Sequence, residues 1–181
     1  MEPVSIRPAE LDDAPAIAEI HVRAWQGAYR GQIPDEILDG LSVEHREQGW
    51  RRQLSELRTA GFSHRIWVAD RDGKVVGFAS SGPSHDQDAP PSIAEIYAIY
   101  LLPETIGSGL GRRLFSHAVE EIRRQGFTAA TLWVLATNVG ARRFYERAGW
   151  SINGGVKTED FHGYPLREVR YRIDLAAFPL G

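Results

Sequence analysis

The stretch PETIGSGLGR, residues 103–112, decides the fold because it marks the place where a strand gives way to a helix. The run before it, residues 94–102, is rich in Ile, Leu and Tyr and is typical of a strand. From Leu110 to Ile122 an apolar residue recurs every fourth position, which predicts an amphipathic helix. Glycines at such a junction let the backbone approach a phosphate closely, and the helix N-terminus adds partial positive charge.

Two well-known nucleotide motifs do not fit these glycines. A P-loop requires a lysine directly after its last glycine, but Arg112 follows Gly111. The dinucleotide fingerprint G-x-G-x-x-G places its third glycine one residue later than it stands here. Taken alone, the stretch fits a phosphate site and a purely structural helix start equally well.

A second stretch, NVGARRFYERAGW at residues 138–150, reads by itself as a capped amphipathic helix. Asn138 is a good N-cap, Phe144 is a candidate core residue, and Gly149 is a typical stop signal. On helix physics alone, Asn138 has no role beyond capping.

The rest of the chain predicts an α+β fold, a mixed and mostly antiparallel sheet of six to seven strands flanked by about four helices. One helix is capped by Asp12 or Asp13, and another runs from Ser42 to a stop at Gly61. A single parallel crossover connects the strand at 94–102 to the next strand. The predicted strands are residues 4–7, 65–69, 74–80, 94–102, 128–135, 150–158 and 166–175.

Composition narrows the class of protein. The 181 residues suit one domain spanning 1–181, and a net charge of −3 lacks the basic footprint of a nucleic-acid binder. The absence of cysteine excludes disulfides, thiolate metal sites and a cysteine nucleophile. The histidines are scattered without metal-ligand spacing, so no metal is expected. With no signal peptide or membrane span in the sequence, we expect a cytoplasmic protein that binds no membrane.

Together, the two stretches resemble the GNAT superfamily of N-acetyltransferases. The family pattern N-x-x-A-x-x-F-Y-x-x-x-G-[FW] matches at every position from Asn138 to Trp150. The family's phosphate loop, [QR]-x-x-G-x-[GA], matches at Gly109 and Gly111 and departs at Ile106, which replaces a polar side chain. The resemblance implies the GNAT-like fold and acetyl-CoA as the acyl-donating cosubstrate.

The resemblance also implies which residues hold the cosubstrate. The backbone of Ile99, Tyr100 and Leu101 is expected to pair with the pantetheine arm as an added strand would. Asn138 is expected to bind the arm while it caps its helix. The pyrophosphate is expected on Gly107, Ser108, Gly109, Leu110, Gly111 and Arg112.

In such proteins an acid protonates the departing thiolate, and Tyr145 stands at the position that supplies it. Glu95 is a candidate base, equally readable as a surface glutamate. Strand alternation predicts that it shares a face with Tyr97, Ile99 and Leu101.

The acceptor is expected between the first helix and a loop at residues 159–165. Aromatic residues there are Trp25, Tyr29, Phe161 and Tyr164, and acidic ones are Asp35, Glu159 and Asp160. The function that follows is acetyl transfer to a primary amine by direct attack within a ternary complex. Small-molecule amines, polyamines and peptide N-termini all stay open as acceptors. The alternative is a non-catalytic acyl-CoA-binding module or sensor, and the family resemblance also allows a homodimer.

Overall fold

A seven-stranded sheet forms the centre of the computed structural model, which describes residues 4–59 and 64–177. The spatial order of the strands is β1-β2-β3-β4-β5-β7-β6. Within the described residues β4 pairs with β5 in parallel and the other neighbours pair antiparallel. The strands are β1 Val4–Pro8, β2 Arg65–Arg71, β3 Lys74–Pro83, β4 Ile93–Leu101, β5 Ala129–Leu135, β6 Ser151–Phe161 and β7 Tyr164–Asp174.

Five helices flank this sheet in the described part of the chain. They are α1 Ala14–Tyr29, α2 Asp35–Asp39, α3 Val43–Thr59, α4 Leu110–Arg124 and α5 Val139–Arg147. The predicted α+β architecture with a mixed sheet is therefore confirmed. The additional helix is α2, which lies between Pro34 and Gly40 and is too short to show helical periodicity. The predicted stop at Gly61 lies outside the described residues.

The helices divide between the two faces of the sheet. On one face, here called the α1 face, the ring centres of His21 in α1 and Trp50 in α3 lie 6.0 and 5.0 Å from that of Phe78 in β3. On the opposite face, the α4 face, His117 of α4 lies 4.5 Å from Trp67 of β2. The predicted apolar stripe of α4, from Leu110 to Ile122, is buried there.

The loop predicted at residues 159–165 is mostly strand, which corrects the sequence prediction. β6 continues to Phe161 and β7 begins at Tyr164, so only His162 and Gly163 form the turn. Both have positive φ, 53° and 80°, as a tight hairpin turn requires. The sequence hides this turn because His-Gly is not one of the residue pairs typical of two-residue hairpin loops.

The length and apolar character of a helix determine whether it can span a membrane. Across residues 4–59 and 64–177, none of the helices combines the length and apolar character needed to cross a bilayer.

Candidate active site

A cleft of about 670 Å³ opens where β4 and β5 separate. The two strands pair from Ile93 to Ile96 on β4, opposite Ala129 to Leu132 on β5. Beyond Ile96 the β5-facing side of β4 has no partner strand in the described residues, and both strands line the cleft. Backbone N–H and C=O groups along such an edge are available to an extended ligand.

A bulge at Tyr97 changes which side chains of β4 share a face. Ser80 pairs with Ala98 and Ser81 with Ile96, so Tyr97 is the extra residue. The alternation therefore reverses, and the face of Glu95 continues through Ala98 and Tyr100. The prediction that Ile99 and Leu101 share the face of Glu95 is wrong, because a bulge inserts one residue into a period of two. Tyr97 does share that face, since its hydroxyl would lie 2.7 Å from a Cβ on Gly82, the residue that pairs with Glu95.

The turn into α4 has the geometry expected of an anion cradle. Gly107 and Gly109 have φ of 85° and 82°, which a residue with a Cβ adopts only with strain. A Cβ on Gly111 would lie 3.1 Å from Cδ1 of Leu101, so glycine permits the close approach of α4 to β4. The first amides of a helix have no carbonyl partner within it, and those of Leu110, Gly111 and Arg112 open α4.

Ile106 lies at the mouth of the cleft and is 71% exposed. It is the residue that departs from the family's phosphate-loop pattern. Its apolar side chain adds no donor there, so the groups of this turn that could meet an anion are the backbone amides and the exposed Arg112.

Asn138 caps α5 and also lines the cleft. Its Oδ1 accepts a hydrogen bond of 3.1 Å from the amide of Ala141, which confirms the predicted cap. The same residue borders the cleft, so capping does not remove it from the space where a ligand would lie.

Tyr145 lies seven residues after Asn138, about two helical turns further along α5, and also lines the cleft. Its ring is half-buried and lies 5.4 Å from both Phe115 and Phe144. Burial, and secondarily Tyr100, raises the pKa of the Tyr145 phenol. The hydroxyl is therefore protonated at neutral pH and available as a hydrogen-bond donor.

Glu95 lies at the inner end of the cleft and is only 8% exposed. Its Oε2 accepts hydrogen bonds from Ser84 Oγ at 3.2 Å and from the His85 amide at 3.0 Å. Burial raises the pKa of Glu95, although these two hydrogen bonds oppose the increase. Glu95 is thus a desolvated carboxyl facing a cleft rather than a surface residue.

Trp133, Lys157 and Glu168 line the cleft but were not predicted from the sequence as site residues. The Nζ of Lys157 lies 3.3 Å from Glu168 Oε2 and 4.6 Å from the centre of the Trp133 ring. Burial raises the pKa of Glu168, and Lys157 opposes this effect. Lys157 and Glu168 belong to strands of alternating polarity, where a polar residue is interpreted as solvent-facing, whereas Trp133 lies in the apolar strand β5 and is interpreted as a core residue.

The predicted acceptor residues divide into two groups. Trp25 and Phe161 line the cleft with their rings 4.8 Å apart, and Tyr29, Glu159 and Asp160 also line it. The predicted Tyr164 and Asp35 are not part of this lining. Tyr164 instead donates to the Gln32 carbonyl at 3.2 Å, and Asp35 pairs with Arg30 at 3.1 Å.

In the part of the chain that the structure describes, no group of three or more His, Asp or Glu side chains is arranged to hold a metal ion.

Comparison with known proteins supports the assignment that the fold and cleft suggest. The model of the acetyltransferase (GNAT) family matches residues 15–150. The uncharacterized N-acetyltransferase YuaI of Bacillus subtilis (strain 168) is 35% identical over 136 residues, 75% of this chain and 73% of that protein.

Solved structures share the fold. The PaiA N-acetyltransferase from Thermoplasma acidophilum, crystallised with coenzyme A, aligns with a TM-score of 0.71 and 20% identity, over 95% of this chain and 99% of that one. YncA, a putative acetyltransferase from Salmonella typhimurium with its cofactor acetyl-CoA, aligns with a TM-score of 0.69 and 23% identity, over 98% and 99%.

The sheet opens between β4 and β5, and a glycine-rich turn leads into α4 beside this opening. These two features define the class of coenzyme A-dependent acyltransferases. The chain belongs to the GNAT family and is an acetyl-CoA-dependent N-acetyltransferase. Its residues fit that cosubstrate, because an unpaired strand edge at β4 leads to a helix start with two left-handed glycines.

Proposed function

We propose that the protein transfers an acetyl group to a primary amine bound on the α1 face of the cleft, by direct attack within a ternary complex. The observation that carries this proposal is that a single cleft is lined by Glu95, Tyr145 and Asn138, with Gly111 of the α4 start at its edge. Base, acid and cosubstrate-binding groups therefore border one space, as a direct transfer requires.

The cosubstrate is assigned to the β5-facing edge of β4 and the start of α4. The backbone of residues 99–101 pairs with its extended arm, Asn138 binds the same arm, and the amides of residues 107–112 bind its pyrophosphate. Acetyl-CoA, when bound, supplies an acetyl thioester whose thiolate leaves as the amine attacks. This chain's residues position that group and manage the protons.

Glu95 is assigned as the base that takes a proton from the acceptor amine. An alkylammonium has a pKa of about 10, so the amine must lose a proton before it can attack. A buried carboxylate with a raised pKa is a better proton acceptor than an ordinary glutamate at the same pH.

Tyr145 is assigned as the donor to the departing sulfur. Its phenol is protonated at neutral pH because burial raises its pKa. A neutral hydroxyl in a partly desolvated site stabilises developing charge without prior reorganisation.

The acceptor is a cationic small amine. The walls of the cleft are aromatic where this amine would bind, with the rings of Trp25 and Phe161 facing each other. Glu159, Asp160, Glu168 and Glu95 contribute four carboxylates against the single lysine, Lys157, among the residues that line the cleft. Aromatic faces and carboxylates both favour a cation over an anion.

Two measurements test the proposal in sequence. Thermal unfolding with acetyl-CoA, with CoA and with ATP comes first, because a ligand at 100 times its dissociation constant adds about 2.7 kcal/mol of stability. Stabilisation by both CoA forms and none by ATP is expected. Thiol release is then followed over a panel of mono-, di- and polyamines, amino acids and peptide N-termini. Turnover that requires an anionic acceptor would contradict the acceptor class.

The base is tested with Glu95→Gln. The wild-type kcat/KM is expected to rise with pH as Glu95 loses its proton. This rise, the acidic limb of the pH profile, is expected to disappear in the variant. Glu121→Gln, which removes a carboxyl on α4 paired with Arg124, is the matched control and should keep the limb. A limb that survives in Glu95→Gln would exclude Glu95 as the base.

A further inference from the structure

A short segment between β3 and β4, residues 84–88, closes against the Glu95 carboxyl. Ser84 Oγ and the His85 amide both donate to Oε2 of Glu95, at 3.2 and 3.0 Å. The Asp86 amide in turn donates to Ser84 Oγ at 3.2 Å. The orientation of the carboxyl therefore depends on where the 84–88 segment lies.

Arg170 of β7 holds this segment from its other side. Its Nη1 lies 2.9 Å from Asp86 Oδ2 and 2.7 Å from Asp88 Oδ1, while Nη2 lies 2.8 Å from Asp88 Oδ2. Its Nε donates to Asn153 Oδ1 at 3.1 Å, and its guanidinium lies 5.4 Å from the centre of the Trp133 ring. These contacts fix the guanidinium against two strands, so it is a rigid anchor for the segment.

Asp86 is held from two directions. Trp133 Nε1 donates to its Oδ1 at 3.0 Å, and Arg170 binds its Oδ2. Side-chain exposures of 13% for Arg170 and 15% for Asp86 show that this pair is largely shielded from water. Such a pair is costly to break, because either partner alone would be a buried charge.

We propose that Arg170 is a positioning residue, which holds the 84–88 segment against Glu95 so that Ser84 and the His85 amide keep its carboxylate directed into the cleft. The proposal rests on the proposed function only in assigning Glu95 as the base. The chain of contacts runs from β7 through Asp86 and Asp88 to Ser84 and His85, and it ends on the carboxyl.

Loss of Arg170 should change the acidity of Glu95 in one direction. The charged and titratable groups around Glu95 are His85 and Asp86 from the segment, Tyr97 from β4 and Glu168 from β7. The hydrogen bonds from Ser84 and His85 lower the pKa of Glu95, and the negative charge of Asp86 raises it. Without Arg170 the hydrogen bonds weaken and the charge of Asp86 is uncompensated, so both effects raise the pKa.

The first test is the pH profile of kcat/KM for Arg170→Gln and Arg170→Lys. The acidic limb should move to higher pH by roughly 0.5 to 1 unit in Arg170→Gln and by less in Arg170→Lys. Arg172→Gln removes an exposed arginine two residues along the same strand and should leave the limb in place. If Glu95→Gln removes the limb, an unmoved limb in a folded Arg170→Gln protein would overturn the proposal.

The second test needs no turnover. Hydrogen exchange of the His85 amide, measured by NMR, should be about tenfold faster in Arg170→Gln, equivalent to about 1.4 kcal/mol of lost protection. Asp88→Asn, which alters a carboxyl whose side chain is 66% exposed, should give a smaller increase without risk to folding. Unchanged exchange in both variants would show that the arginine does not hold the segment.

The two failures are distinguishable. Faster exchange together with a limb that survives Glu95→Gln would support positioning by Arg170 and refute Glu95 as the base. Normal exchange together with a limb that Glu95→Gln removes would keep the base and refute the role of Arg170.

Discussion

The hydroxyl of Tyr145 sits where a half-buried helix meets the open edge of the sheet. Its ring packs beside Phe115 and Phe144, so removing the oxygen leaves the packing in place. Tyr145→Phe should lower kcat by about 100-fold or more, since a positioned acid or base contributes 10²–10⁴-fold. The Kd of acetyl-CoA, from calorimetry, and the Tm should stay near the wild-type values. Undiminished turnover would contradict the assigned role.

Asn138 allows capping to be separated from ligand binding. Asn138→Ala removes the acceptor for the Ala141 amide and should cost about 1 kcal/mol of stability. Asn138→Asp keeps a carboxyl oxygen that caps equally well but lacks the amide N–H donor. We expect this variant to keep the wild-type Tm and to bind CoA more weakly by calorimetry. Wild-type CoA affinity in Asn138→Asp would limit the residue to capping.

At the scale of secondary-structure elements, α4 carries left-handed glycines at both ends. Gly109 precedes its first turn with φ of 82°, and Gly126 follows its last turn with φ of 89°. A Cβ at either position meets no atom within 4 Å, so alanine introduces backbone strain without a steric clash. This symmetry makes Gly126 a matched control for the anion cradle.

Gly109→Ala and Gly126→Ala should each lower the free energy of unfolding by about 1–2 kcal/mol, the cost of left-handed backbone at a residue with a Cβ. Only Gly109→Ala should weaken CoA binding, by about tenfold or 1.4 kcal/mol, because its Cβ would lie at the cradle. Denaturant unfolding and calorimetry measure the two effects. Equal affinities for the two variants would place the pyrophosphate elsewhere.

The bulge in β4 sets the direction of the side chains that follow it in that strand. It turns Tyr100 toward α1, where its ring stacks 5.1 Å from His21. It also turns Leu101 toward α4, where its Cδ1 would lie 3.1 Å from a Cβ on Gly111. The stretch of strand that we propose to bind the cosubstrate is thereby anchored on both faces while its β5-facing edge stays open.

At the scale of the whole molecule, an ion-pair network connects β1, β2 and the start of α1 at the edge of the sheet opposite β6. Arg7 of β1 bonds Asp13, at the start of α1, at 2.8 Å and Asp70 of β2 at 3.0 Å. Burial by itself would raise the pKa of Asp13, but hydrogen bonds from Arg7 and the Glu10 amide outweigh it and hold the pKa below its usual value. The network lies far along the sheet from the cleft, so it affects stability rather than turnover.

Asp13→Asn should lower the free energy of unfolding at neutral pH by about 1.5–3 kcal/mol, the typical contribution of hydrogen bonds to a charged group. Because the folded-state pKa lies below the unfolded one, this contribution is complete above the unfolded pKa and is lost as pH falls through the folded pKa. The gap between wild type and variant, from urea unfolding, should therefore shrink below about pH 4. The exposed neighbour Asp12→Asn is the control, and a pH-independent gap would contradict the linkage.

Two further expectations concern the whole molecule and stay predictions, namely a single domain over residues 1–181 and a homodimer. Ile152 and Val156 of the edge strand β6 are 46% and 52% exposed, so this strand offers an apolar surface to a second copy. Light scattering, which gives the mass of the particle in solution, tests whether the protein is a dimer.

The sequence by itself determined the class of protein and most of the secondary structure. The glycines at 107, 109 and 111 and the pattern from Asn138 to Trp150 are local signals, since each states a backbone requirement or a helix face within a few residues. The apolar stripe of α4 and the Asn138 cap could be predicted for the same reason.

Tertiary structure alone decided which side chains meet in the cleft. The bulge at Tyr97 depends on how β3 and β4 pair, and it reversed the predicted face of Ile99 and Leu101. Glu168 lies beside Lys157, and Arg170 beside Asp86, only because strands distant in sequence are neighbours in the sheet. A polar residue in an alternating strand looks the same whether its face is solvated or covered, so only packing distinguishes the two.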